Sequence, residues 1–197
     1  MNSKTKSLPA RIIDAIKDDD VDELRMLMSE NPEQLTCNTF FAGQTWLGYA
    51  ASNGKLSSMA VLVELGADIN QGDHRENVKP ICTAACNNQV QSVEFLLKRG
   101  ALLDTETSVQ NPLFSAVVGR SANIAKLLLE AGIDYSVRYN SRSMKNMDAI
   151  AFALMRGEKQ CAQTVAYWIA GDDEIKVHSL LQEGDEIAEY NAYDKKA

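Results

Sequence analysis

The run TWLGYAASNGKLSSMAVLVELGADIN, residues 45–70, decides the fold. Its second half places Leu56, Met59, Val61, Leu62 and Val63 at the first, fourth, sixth, seventh and eighth positions of one segment. That spacing makes a broad apolar stripe on a helix. Gly66 follows, and glycine suits the left-handed position that ends a helix because it has no Cβ to clash. A shorter helix precedes the first. Thr45 can cap it, Ala50 and Ala51 let a neighbouring helix come close, and Gly54 sits between the two.

The same eight-residue pattern recurs at Val21–Met28, Val90–Leu97 and Ala122–Leu129. Leu24, Met59, Val93 and Ala125 are equivalent, and their regular spacing predicts a chain of repeated units. Gly100 and Gly132 repeat the role of Gly66, and Asn31-Pro32 ends the first copy instead. Short first helices are expected at Lys79-Pro-Ile-Cys-Thr-Ala-Ala85 and Asn111-Pro-Leu-Phe-Ser-Ala-Val117. Asn111 can cap, and Pro80 and Pro112 suit a first turn. A weaker fifth copy is expected over Asp148–Met155 and Lys159–Ala170, with Gly157 at its turn.

Thr45-Trp-Leu-Gly-Tyr-Ala-Ala51 resembles the Thr-Pro-Leu-His-x-Ala-Ala run of ankyrin repeats, and Gly66-Ala-Asp-Ile-Asn70 matches that family's repeat ending. The resemblance implies an all-α fold: an ankyrin-repeat solenoid of about five helix-turn-helix repeats with finger loops and a C-terminal capping helix. It covers residues 8–184 as one domain, with repeats at 8–38, 39–72, 73–106, 107–140 and 141–171 and a cap helix at 172–184. Residues 1–7 and 185–197 are expected to be flexible ends. Gly48, Cys82 and Phe114 stand where the family has His, so the hydrogen bonds that brace its loops must be missing or replaced. Trp46 stands where Pro is usual, and Trp168 and Tyr167 are expected to close the C-terminal core.

A lone helix pair cannot bury its apolar face, but stacked pairs can, and the stack presents an extended surface. The resemblance implies a protein-binding site on the fingers and on the exposed side of the first helices. The fingers would be residues 38–44, 70–78, 104–110 and 135–146. The expected contact residues are Phe40 and Phe41 on the first finger, His74, Arg75 and Glu76 on the second, and Tyr135, Arg138, Tyr139 and Arg142 on the fourth. On the first helices Tyr49, Asn53, Asn87, Met155 and Arg156 are expected to be exposed. Tyr and Arg recur at interface hot spots. Replacing Tyr139 and Arg142 with Ala is expected to weaken binding while leaving melting nearly unchanged.

The net charge of -7 argues against nucleic acid, whose binders usually present a basic face. Acidic residues crowd both ends, at Asp18–Glu23 and Asp172–Glu189. They serve as solubilising caps or steer a basic partner. No export signal and no membrane-spanning run are legible, which points to a cytoplasmic protein with reduced thiols at Cys37, Cys82, Cys86 and Cys161. Only two histidines occur, and Cys82 and Cys86 lack the further ligands that a closed zinc site needs. No catalytic residue, metal or cofactor is expected. The expected function is a non-enzymatic module, monomeric or weakly dimeric. It would bind and inhibit a protein partner such as a basic toxin or effector domain, as an immunity protein does. The alternatives are a regulatory, scaffold or effector ankyrin protein and, more remotely, a metal-binding or enzymatic protein.

Overall fold

Asp19 (φ 54°), Gly54 (68°), Asn88 (54°), Arg120 (58°) and Gly157 (77°) all hold left-handed backbone, one at each turn between two paired helices. The five helix pairs expected from the sequence are therefore present. The computed structural model describes residues 6–39, 43–142 and 144–194. Phe40 and Phe41 lie outside the described residues.

The chain divides into two compact units, Met1–Leu102 and Leu103–Ala197. The first holds α1 (Leu8–Asp18), α2 (Val21–Glu30), a 3-10 turn at Pro32–Thr36, α3 (Trp46–Ser52), α4 (Leu56–Glu64), α5 (Pro80–Cys86) and α6 (Val90–Leu97). The second holds α7 (Pro112–Val118), α8 (Ala122–Glu130), α9 (Ala149–Met155), α10 (Lys159–Ala170) and α11 (Glu174–Asp194). All regular structure among the described residues is helical. Isolated bridges, Asn38 to Thr45 and Tyr139 to Met147, close the bases of the first and fourth fingers.

Within the first unit α3 packs on α5, and α2 packs on α4. Within the second, α7 packs on α9, and α8 packs on α10. First helices thus stack on first helices, and second on second. Leu24, Met59, Val93 and Ala125 are fully buried, as their equivalence requires. Ala50, Ala51, Ala84, Ala85 and Ala116 are buried too, and their small size allows the first helices to approach. Thr45 Oγ1 accepts from Gly48 N at 3.0 Å, and Asn111 Oδ1 accepts from Leu113 N at 2.8 Å, so both caps form as the sequence indicates.

One cap comes from outside its own helix. Lys55 opens α4 without capping it. Asp19, in the turn of the preceding pair, accepts from Ser58 N at 2.8 Å and Ser58 Oγ at 2.6 Å. Burial alone would raise the Asp19 pKa. The Ser58 hydroxyl and amide, Ser57 and nearby Lys55 outweigh it and hold the carboxyl below its ordinary 3.8. This acid serves the fold rather than solubility alone.

Two expectations at the C-terminus are corrected. The final helix does not stop near residue 184 but runs to Asp194. Gly184 is the residue at which the expected cap helix ended. Instead it sits mid-helix against α9, where a Cβ would fall 2.7 Å from Ile150 Cγ2 and 3.0 Å from Leu154 Cδ1. Its bare Cα lets α11 lie close. Beyond it Ala188 and Asn191 are buried, and Asn191 exchanges hydrogen bonds with both Lys145 N and Lys145 O. Tyr167 and Trp168 do not close the core either, for each is 44% exposed. Cys161, Ala162, Val165 and Ala166 already fill the inward face of α10, and the neighbouring helical phase points outward.

Candidate protein-binding surface

Each unit carries part of the expected surface. In the first, finger two is shaped by Asp73, whose Oδ1 accepts the amides of Arg75, Glu76 and Val78. Such an Asx turn fixes a short loop without help from secondary structure. His74 Nδ1 stands 3.2 Å from the Gly43 carbonyl oxygen and braces finger two on finger one, with the proton assigned to Nδ1. Arg75 and Glu76 are exposed. Gly43 (φ 72°) has room for no side chain there, since a Cβ would meet His74 Cε1 at 2.8 Å.

Asn53 and Asn87 are exposed at the ends of α3 and α5. Each donates Nδ2 at 2.8 Å to a carbonyl one turn back, Tyr49 O and Thr83 O respectively. They are matched C-terminal caps with their flanks open to solvent. Tyr49 is not exposed: it retains 7% of its surface, because α3 is buried along nearly its whole length against α4 and α5. The expectation that Tyr49 is exposed for contact is corrected.

In the second unit the fourth finger is fixed by three separate braces. Tyr139 Oη donates to Thr105 O at 2.8 Å and accepts from Asn111 Nδ2 at 3.0 Å, tying finger four to finger three. Its ring meets Phe114 edge-on at 5.0 Å, and Phe114 stacks on Phe152 at 4.6 Å. Phe114 stands where the ankyrin pattern it resembles has His, and the bracing here comes from a ring stack below and a phenol above. The Arg138 guanidinium reaches Asp148 at 3.1 Å and Glu183 at 2.9 Å. Lys145 is held by Asn191 at 2.6 and 2.9 Å. Arg138 and Tyr135 border a cavity of about 220 Å³ with Asp148, Ile150 and Leu180.

Tyr139 is therefore held by both its ring and its hydroxyl, which stands against the expectation that its loss would leave melting nearly unchanged. Arg142 is exposed and Tyr135 is 38% exposed. At the end of α9 Met155 is half-buried, and Arg156 is exposed with its guanidinium 5.6 Å from the Phe152 ring centre. Asp134 below the finger accepts from the Ser136 hydroxyl at 2.6 Å and amide at 2.9 Å, which lowers its pKa from 3.8.

Cysteine chemistry adds little. Cys82 and Cys161 are buried and Cys86 is exposed. Burial, with Glu158 nearby, pushes the Cys161 thiol up to about 11, so it stays protonated and unreactive at neutral pH. Sequence reasoning missed the groove beside Tyr167 and Trp168. The signal was present, since residues 160, 163, 164, 167 and 168 form one helical stripe.

Residues 72–139 match the family of ankyrin repeats, three copies. The chain is 28% identical over 130 residues to an ankyrin repeat and KH domain-containing protein of Caenorhabditis briggsae. It is 26% identical over 170 residues to the ankyrin repeat and KH domain-containing protein mask-1 of Caenorhabditis elegans. It is 31% identical over 103 residues to the E3 ubiquitin-protein ligase Ufd4 of Drosophila melanogaster. These matches cover 66%, 85% and 52% of this chain but only 5%, 6% and 4% of the relatives. The chain thus spans only a small part of the length of each of these relatives.

Proposed function

We propose that this chain, an ankyrin-repeat protein and so a protein–protein interaction module, grips a partner through finger four and the end of α9. Tyr135, Arg142, Met155 and Arg156 would make the contact. One observation carries this reading: the three braces hold finger four in place while leaving those side chains accessible. A loop ordered beforehand loses less entropy on binding, so more of its contact energy appears as affinity. In the first unit Asn53, Arg75, Glu76 and Asn87 are proposed contacts, with His74 shaping the loop. His74, Arg138 and Tyr139 act by positioning.

The partner is a protein whose basic face is drawn to the acids of α11 while its acceptor groups meet Arg142 and Arg156, and binding blocks its working surface, as an immunity protein blocks a toxin. The support is the net charge of -7 and a family built for protein contact. Much of the N-terminal acidity is used internally: Asp14 pairs with Lys6, Glu23 with Arg11, and Asp20 caps α2. On α11 Asp185, Glu186 and Glu189 are exposed, and they supply the steering field. Among the described residues no helix is long and apolar enough to cross a membrane; a cytoplasmic location is part of the proposal. A scaffold or regulatory role is the second reading, favoured by matches that span only a small part of much longer relatives.

Affinity purification with the full chain, alongside a Tyr135→Ala/Arg142→Ala/Arg156→Ala variant of unchanged circular dichroism, tests the proposal. A stoichiometric basic protein is expected with the natural chain and its loss with the variant. The partner's own activity should fall when the chain is added back. Recovery of no stoichiometric partner, or equal recovery by the variant, refutes it. Capture without inhibition moves the balance to the scaffold reading.

A further inference from the structure

The second helices of the second unit leave an open groove between α8 and α10, of about 530 Å³. Gln160, Gln163, Thr164, Tyr167 and Trp168 form one wall, and Lys126 stands on the other, with Ala122 opposite Gln160's end of α10. Two large neighbouring aromatics exposed by 44% each are not explained by core packing, which α10 completes with four smaller residues. Exposed apolar surface rimmed by polar groups commonly marks a binding site. We propose that this groove binds an extended, proline-rich segment of a protein partner, with an acidic residue of that segment at the Lys126 end.

The dimensions fit. From Gln160 to Trp168 the helix rises about 12 Å, which about four residues of a polyproline helix would span. The hydrogen-bonding chemistry also fits. The Thr164 hydroxyl is occupied, donating to Gln160 O at 2.8 Å. Tyr167 Oη donates to the Glu174 carboxylate, 3.2 Å from both oxygens, which raises the Tyr167 pKa and leaves its proton on the phenol, committed to Glu174. The groove can still offer the Lys126 ammonium, the two Gln amide groups and the Trp168 indole N–H, a set rich in donors. Proline residues present carbonyl acceptors and no N–H, whereas a helical partner has already satisfied its own backbone. Aromatic-lined grooves read such segments by stacking on proline rings.

Charge sets the direction. Lys126 is 66% exposed and only loosely paired with Glu130 at 3.8 Å. Such an exposed pair is weak and readily exchanged. Lys159 adds positive charge at the end where α8 and α10 begin, while Arg120 there is matched by Glu158 at 3.1 Å. Glu174 lies at the Tyr167 end. This surface is independent of finger four, so its failure would leave the proposed function untouched.

Trp168 reports on occupancy, because Trp46 is 2% exposed and its emission should not respond. The full chain is titrated with a synthetic peptide of two glutamates followed by six prolines, and with an alanine counterpart. A saturable blue shift is expected with the proline peptide alone. Lys126→Glu and Gln163→Ala, both at exposed positions, should weaken it about tenfold with no change in melting. The proposal is overturned by any of four results: no shift at millimolar peptide, equal binding of the alanine peptide, an unchanged dissociation constant in Lys126→Glu, or a concentration-dependent shift without peptide, which would put a second copy in the groove.

Discussion

Replacing Tyr139 with Phe removes one oxygen and leaves the ring edge on Phe114 in place. That oxygen makes two hydrogen bonds, to Thr105 O at 2.8 Å and from Asn111 Nδ2 at 3.0 Å. Asn111 is 2% exposed, so water cannot readily take over its amide. Two bonds of ordinary net worth, with one buried donor left unpaired, come to about 1–3 kcal/mol. With a urea slope near 2 kcal/mol/M, the unfolding midpoint should fall by roughly 0.5–1.5 M. Equilibrium urea titration followed by circular dichroism measures it, and the slope should not change. Tyr139→Ala should cost more by the ring's own packing, and the difference between the two variants isolates that contribution. A midpoint in Tyr139→Phe that stays at the natural value would show that the phenol braces nothing, and finger four would lose its claim to be ordered in advance.

Leu96→Ala should destabilise the chain by about 2–5 kcal/mol, because Leu96 is fully buried and its truncation leaves a cavity; chemical denaturation reads this directly. Ser92 and Ser58 occupy corresponding places in their repeats yet should respond oppositely. Ser92 Oγ is buried without a hydrogen-bond partner, so Ser92→Ala should be neutral or stabilising by up to about 1 kcal/mol, whereas Ser58→Ala breaks the contact to Asp19 and should cost about 1 kcal/mol. Asp19→Asn keeps a side chain that tolerates φ 54° but removes the charge. The natural carboxyl has a folded pKa below its unfolded value, so its contribution is present above pH ~4 and is lost as pH falls through the folded pKa. The stability gap between natural chain and variant should therefore be open at pH 7 and closed near pH 2; a gap equal at both would show that the charge plays no part.

The repeats were legible because their signals are local. A stripe at helical spacing, a glycine after it and a capping residue before each short helix each have one physical solution, and the positions of Thr45, Asn111, Gly157 and Leu96 followed. What misled was any residue whose role depends on a neighbour distant in sequence. Glycine is a poor residue for a helix interior, and only the approach of Ile150 makes Gly184 a close-packing position. Tyr167 and Trp168 are apolar enough for a core, but four smaller residues on the adjacent phase of α10 had already filled it. Tyr49 sits where the family pattern leaves an exposed position, yet this ring is enclosed by the helices around it.

The binding surface was harder still, because bracing and display draw on the same residue types. Tyr, Arg and His are prized at interfaces for combining area with directed hydrogen bonds. Those properties equally suit them to replace the histidines that the family uses to tie loops together. Tyr139, Arg138 and His74 are taken up in this way, each reaching residues 28 or more positions away. The proposed contact residues are exposed ones that bracing did not require: Arg142, Tyr135, Arg75 and Arg156. It follows that substitutions at the first group should lower stability and affinity together. Those at the second should lower affinity alone, a division that paired measurements on Arg138→Ala and Arg142→Ala would expose in one experiment.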